Sequence, residues 1–507
     1  MRGVIMKKFT FFSFFLLVAL GSTISQGASF YVDSSRPDNS ADGTSWATAK
    51  KTIDVGYSLL SPGDELYISG GAISKTYYVP STSLLVFGTA NTTISRGIDS
   101  GHNGAVLIDW QGSIIPGNSA IRITGNNIKL TGVNDGGIVI RNGEEVGIAI
   151  EADYVIVEYC KIHDWENDSV DGRGINIISG ASFYNVNHCI IFNCGGYGVF
   201  NRGNYGEIHD CQIYDIGTQA SFSFANGIEL IESHNNNIYS NKVYNCYNKI
   251  ATDGNCLELF KGSDNNNIYD NEFYNSLDLV EVGDDEAGGR APQGNKFFRN
   301  KLHGRSNVKS GVAYYKDSGA SSPSTPDVWY SNLIYDVPMG FNVNYSVTFY
   351  GNTFYNCDTM IQIWDNLAKT VTLKNNIFNT ASRNGVLNWS NNTTLVHSNN
   401  AWWRADNAYV YQDNDKNVRP SNLAEAFEPT GFPGQVNFTD AANANFHLET
   451  SNSDIVLEGG VAVGSQYDSD FDLFARPQGS GYTMGAYEFR SSDGEKISSP
   501  KNLRAIP

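Results

Sequence analysis

IYSNKVYNC (238–246), IYDNEFYNS (268–276) and FFRNKLHGR (297–305) share one pattern: a short strand, a turn residue, an asparagine and a second short strand. Asn241, Asn271 and Asn300 stand 30 and 29 residues apart. Working outward, the same corner recurs at Cys160 in VEYCKIHD, Cys189 in VNHCIIFNC and Cys211 in IHDCQIYDI. It continues at Asn332 in WYSNLIYDV, Asn352 in FYGNTFYNC, Asn376 in LKNNIFNT and Asn400 in HSNNAWW. Steps of 20–32 residues with one Asn or Cys at the same corner mean one solenoid coil per step. Asparagines stacked at such a corner hydrogen-bond from coil to coil, so their role is structural. The expected fold class is all-β, a parallel β-helix.

The composition agrees. Charged residues make up only 17% and Gly numbers 51, which suits turn-rich β structure. Arg2, Lys7 and Lys8 precede the apolar run FTFFSFFLLVAL (9–20), and Ser25-Gln26-Gly27 offers small residues for cleavage. Residues 1–27 are therefore read as a secretory signal peptide, residues 28–490 as the β-helix with its caps, and 491–507 as a linker. Within the linker, SPKNLRAIP resembles the opening of a fibronectin type III module. No later apolar run reaches the roughly 18 residues of a membrane span, so the expectation is a monomer, secreted or at the cell surface, without membrane insertion. The net charge is −18, and loss of the three basic leader residues makes it −21. That balance disfavours nucleic acid as a partner and repels polyanions unless a metal cation intervenes. The seven cysteines form no zinc spacing, and their odd number leaves at least one unpaired; they read as small buried residues.

The N-terminal region supplies a strand around 28–33, an amphipathic segment at 50–60 with Ile53, Tyr57 and Leu60 on one face, and a second strand at 65–68. It resembles the N-terminal cap of secreted right-handed parallel β-helix proteins, which implies a right-handed coil. A cap is needed because the first coil otherwise exposes its apolar end and an unpaired edge. The segment at 470–489, DFDLFARPQGSGYTMGAYEF, resembles their closing segment.

A second column lies in another strand of each coil. Ile175-Asn176-Ile177, Val199-Phe200, Ile228-Glu229-Leu230, Leu257-Glu258-Leu259 and Val280-Glu281-Val282 align, with apolar neighbours pointing inward. Glu229, Glu258 and Glu281 should then form an exposed ladder of carboxylates about 4.8 Å apart. Like charges on adjacent strands destabilise a sheet, so the ladder points either to a cation or catalytic pair, or to a solvated acidic face. Asp253, Asp278 and Glu281 can converge on the same face, and an oxygen-only carboxylate set suits Ca²⁺. Bound there, Ca²⁺ would bridge to a uronate carboxylate and acidify the proton α to it, for a lysine such as Lys316 to remove.

At these residues the chain resembles polysaccharide lyase family 9, the Ca²⁺-dependent pectate lyases. Asp253-Gly254 and NSLDLVE (275–281) match the family's acidic elements, with Leu277 where the family has a further acid. The resemblance implies β-elimination on an acidic polysaccharide, with Asp253, Asp278 and Glu281 on the metal and Lys316 as base. CLELFKGSDNNNIYDN (256–271) is also similar to the lysine-bearing coil of family 6 lyases, which would give Lys261 that role. A glycoside hydrolase using a pair from Glu229, Glu258 and Glu281 is a second class. A non-catalytic carbohydrate-binding or adhesion protein is a third, with Tyr314, Tyr315, Trp364, Trp402 and Trp403 as aromatics that can stack on sugars. His163, His188, His209 and His234 recur at coil spacing and read as structural.

Overall fold

Each coil turns the asparagine corner on left-handed backbone. In the computed structural model the residue before each ladder position has positive φ: 54° at Ser240, 56° at Asp270, 54° at Arg299 and 54° at Ser331. The model describes residues 27–490 except 81–83, 114–118, 166–171, 219–223, 251–252, 285–289, 317–322 and 365–366. The leader expected at 1–27, apart from Gly27, and the linker at 491–507 lie outside the described residues.

The turn carries each asparagine side chain inward, against the next coil. Asn241 Nδ2 donates to Asn271 Oδ1 at 3.1 Å and to Ile208 O at 2.8 Å. The Asn241 backbone N–H donates to the same oxygen of Asn271 at 3.0 Å. The motif repeats through Asn300, Asn332, Asn352 and Asn376 to Asn400. At the far end the Asn400 backbone N–H donates to Glu428 Oε1 at 2.7 Å. A second buried ladder, Asn236–Asn266–Asn295, ends on Asp327.

Three parallel sheets result. The first has 14 strands, from Ser29–Val32 to Thr393–Ser398. The second runs from Ser74–Tyr78 through Cys160–Trp165 and Lys242–Cys246. The third runs from Leu85–Phe87 through Asn226–Ile231, Asn255–Phe260, Asp278–Asp284 and Ser310–Lys316. The long strands Thr353–Ile363 and Ile377–Asn388 pass from the second into the third. Ile228, Leu257, Val280, Val312 and Phe341 stack in the core with no exposure. This is the all-β, right-handed parallel β-helix expected from the repeat.

Outside the coil, aromatic rings stack with the same repeat. Phe192, Tyr214, Tyr244, Tyr274, His303 and Tyr335 lie 4.7–5.1 Å apart, centroid to centroid. His209 belongs to a similar column, 4.5 Å from Tyr239, and His163 stacks on Phe192. The seven cysteines are all buried. At the N-terminal end the helix Ile53–Tyr57 packs Ile53 and Tyr57 into the core with Leu60. At the other end Phe427 covers Trp402, His397 and Tyr411. Phe471, Ala486 and Tyr487 lie against Leu333, Tyr335 and Phe446, along the side of the second sheet. Among the described residues no helix is long and apolar enough to cross a membrane.

The ladder makes a direct prediction. Asn271→Ala strips the acceptor from the Asn241 N–H and the donor from Ile238 O, both buried. It should cost about 3 kcal/mol, read as a lowered denaturant midpoint. Asn271→Cys should cost less, because Cys211 occupies the equivalent corner and its backbone N–H still bonds Asn241 Oδ1.

Candidate functional site

The outer face of the third sheet carries the acidic residues, and a local irregularity brings them together. Two consecutive residues per coil turn inward there: Cys256 and Leu257, then Leu279 and Val280, all fully buried. Residues three apart, Asn226/Glu229, Asn255/Glu258 and Asp278/Glu281, therefore share the outer face. Strand register sets Glu229 beside Glu258 and Glu258 beside Glu281, bounded by Phe200 on one side and Ala313 on the other. In the neighbouring column Asn255 stands beside Asp278 and Asp278 beside Ser310.

The glutamate ladder is in register as expected, but it is not exposed. Glu229 retains 4% and Glu258 8% of its surface. The reason is that neighbours fold over the carboxylates. Asn226 Nδ2 donates to Glu229 Oε2 at 3.0 Å and also bonds Glu258 Oε2. Tyr315 Oη donates to Glu258 Oε1 at 3.3 Å, Asn255 Nδ2 bonds Glu281, and Ser310 Oγ bonds Asp278.

Burial and mutual repulsion push these acids up. Burial first, then its proximity to Asp278 and Asp253, raises Glu281 to about 8. Burial, with the charge of Asp278 behind it, raises Asp253 to about 6. Glu258 lies well above the ordinary carboxylate range through burial and the charges of Glu229 and Glu281. Burial raises Asp278 as well, with Ser310 pulling the other way. One cation opposes this: Lys309, exposed on the rim, lowers Asp253, Asp278 and Glu281. Its backbone N–H donates to Leu277 O at 2.6 Å.

Lys309 escaped the reading of the sequence, which looked for a lysine at coil spacing. The signal was its place directly before Ser310, the register partner of Asp278. The two lysines singled out from sequence stand at or just past the ends of their strands. Lys316 ends its strand opposite Asp284, with its side chain outside the described residues. Lys261 sits on left-handed backbone with φ 47° and holds its ammonium 5.2 Å over the Phe260 ring. Of the candidate sugar-stacking aromatics, Tyr314 and Trp402 are fully buried in the core and are removed from that role.

As a cation site the face is matched in chemistry but not closed in geometry. Among the described residues no three His, Cys, Asp or Glu side chains converge closely enough to hold a metal ion. The donors are nevertheless all oxygen, as a hard cation requires. Asn226 Oδ1, Asn255 Oδ1 and Asn342 Oδ1 are buried with no hydrogen-bond partner among the described residues. All three lie on this face, and each such orphan costs about 1–3 kcal/mol.

A family model described as right handed beta helix region matches residues 146–324, the part of the chain that contains this face. No curated protein matches by sequence. Solved structures share the fold at low identity. The XylC complex with xylose is 10% identical with a TM-score of 0.51, covering 91% of this chain and 98% of that one. A PL6 family alginate lyase, AlyGC, is 10% identical with a TM-score of 0.49, over 79% of this chain and 55% of that one. Pectate lyase Pel9A is 14% identical with a TM-score of 0.42, over 92% and 98%.

The raised acids fix the sign of a pH effect. A carboxyl with raised folded pKa binds its proton more tightly folded than unfolded. Its stabilising contribution is full below the unfolded value, 3.8 for Asp253 and 4.5 for Glu281, and is lost as pH rises through about 6 and about 8. Buried Asp327, raised to about 7, acts in the same direction. The thermal midpoint without added metal should therefore fall between about pH 4 and 8. Glu281→Gln should flatten the upper part of that fall; an unchanged profile would show that Glu281 is not the group titrating there.

Proposed function

We propose that this protein is a polysaccharide lyase that cleaves a uronate-containing glycan by β-elimination, assisted by Ca²⁺ at the acidic face. One observation carries the reading: buried carboxylates pressed together on an outer sheet face, beside amide oxygens with no donor among the described residues. Such a group is relieved by a cation. Asp253, Asp278 and Glu281, which do not converge on one point as they stand, would have to draw together to hold it, with Asn255 Oδ1 as a neutral ligand. Bound Ca²⁺ supplies the charge that acidifies the proton α to the uronate carboxylate.

The remaining roles fall to this chain's own side chains. Lys309 takes the α proton. The electron pair left behind forms the carbon–carbon double bond as the bond to the departing glycosidic oxygen breaks. Glu258, kept protonated by burial and by its neighbours, gives its proton to that oxygen. Tyr315 holds Glu258 in position.

A glycoside hydrolase is the second reading. It is favoured by Asn226, whose amide reaches both Glu229 and Glu258 on adjacent strands. Strand spacing of about 4.8 Å is near the separation of about 5–5.5 Å used by retaining enzymes.

The test is ultraviolet absorbance of unsaturated uronate from polygalacturonate, alginate and chondroitin sulfate, with Ca²⁺ and with chelator. A chelator-sensitive rise on one substrate is expected. Lys309→Ala should lower it by about 10²–10⁴-fold, the usual worth of a positioned acid or base. Equal loss in Lys316→Ala or Lys261→Ala, with Lys309→Ala unaffected, moves the base to that residue. New reducing ends without absorbance would establish the hydrolase and overturn the lyase.

A further inference from the structure

Of the eight tryptophans, all among the described residues, four are fully buried and two half-buried. Trp364 and Trp389 differ: they are 44% and 55% exposed. A single exposed indole is ordinary, but two that adjoin form an apolar patch of the kind that marks a binding site. Strand register makes these two adjoin. The third outward column of the sheet passes through Phe260, Gly283 and Tyr315. Ala313 pairs with Asn342, and Val343 with Ile363, so the column continues to Asn344 and then Trp364. Ile363 pairs with Asn388, which sets Trp389 beside Trp364. The backbone ladder runs through both: Trp364 N–H donates to Val343 O at 3.1 Å and Trp389 N–H to Ile363 O at 2.7 Å.

The two indoles therefore stand on the same face as the acidic residues, three and four coils beyond Gly283. At about 4.8 Å per coil they lie roughly 14 and 19 Å along the axis. Between them and the acids, in the middle column, lies Asn342, whose amide oxygen is buried without a partner among the described residues. Among the described residues of these two outward columns none is acidic along this stretch: Ala313, Asn342 and Gln362 follow Glu281, and Tyr315 and Asn344 follow Gly283. A neutral strip with hydrogen-bonding amides ends in two flat apolar rings.

We infer that Trp364 and Trp389 form a distal glycan-binding subsite, which holds the polysaccharide parallel to the solenoid axis several sugars away from the point of cleavage. The ligand is a pyranose polymer. The C–H face of a sugar ring covers an indole face, and its hydroxyls supply the donors that Asn342 Oδ1 lacks. This rests on the proposed function for the location of the reacting centre. It goes beyond that reading by making affinity depend on chain length. Long chains reach from the acidic face to the indoles, and short oligomers do not.

The test is affinity electrophoresis in the cold, through native gels containing polygalacturonate, alginate, chondroitin sulfate or xylan. Unaltered protein is compared with Trp364→Ala, Trp389→Ala and the double variant, all checked for an unchanged thermal midpoint. One polymer should retard the unaltered protein, and the double variant should bind it about tenfold more weakly. On the polymer that is cleaved, the double variant should raise KM with kcat unchanged. Equal retardation of all four proteins overturns the subsite, and so does a lack of retardation by any polymer. The lyase reading is judged separately, by the absorbance assay on the unaltered chain. Concentration-dependent self-association lost in the double variant would overturn the subsite in favour of an interface between copies of this chain.

Discussion

In this molecule the backbone bonds its neighbours along the axis: strand after strand pairs with the equivalent strand one coil away, in parallel and in register. The coil is therefore held by the next coil rather than by itself. Loss of register by one residue would exchange the inward and outward sets, so register must be pinned. The asparagine ladder pins it. Each asparagine accepts from the backbone of the preceding coil and donates to the amide oxygen of the following one, and these bonds lie in the dry interior. Glu428 closes the last rung, and Phe427 covers the rings beside it. Without such closure the final amide would be left unpaired in the core.

The same arrangement forces equivalent side chains on successive coils to meet at about 4.8 Å. Most columns gain from this. Tyrosine, phenylalanine and histidine rings stack, each pair worth about 0.5–1.5 kcal/mol beyond the area buried. Asparagines complete one another. The glutamate column is the exception, because stacking brings like charges together with little water between them. Its acids answer by holding protons, most visibly Glu281. The crowding at this face is thus a consequence of the repeat: the solenoid turns a one-per-coil glutamate into a crowded set without any special loop.

That logic explains what could be read from the sequence. The corner residues and the Glu229, Glu258 and Glu281 register follow from counting coils, and the pairing agrees residue for residue. Two features do not follow from counting. Asp278 shares a face with Glu281 because Leu279 and Val280 both turn inward, which breaks the alternation of an ideal strand. The burial of the carboxylates depends on Asn226 and Tyr315 reaching over them, a matter of side-chain length and direction. Lys309 is hidden for a related reason. It lies in a connection between strands, where coil lengths vary and no repeat predicts which residue arrives beside the acids.

Two routes relieve the crowding at the acidic face, a proton or a cation, and they exclude each other on the same oxygen. On the proposed reading, Asp253 and Glu281 must lose their protons to hold Ca²⁺, and those protons leave at about pH 6 and about 8. Cation affinity must then rise with pH across that range. Occupancy would in turn lower both acids, so that the metal completes the deprotonation it requires. A chain of net charge −18 gains from this coupling. With protons or cation bound, the face carries far less negative charge than the count of carboxylates implies.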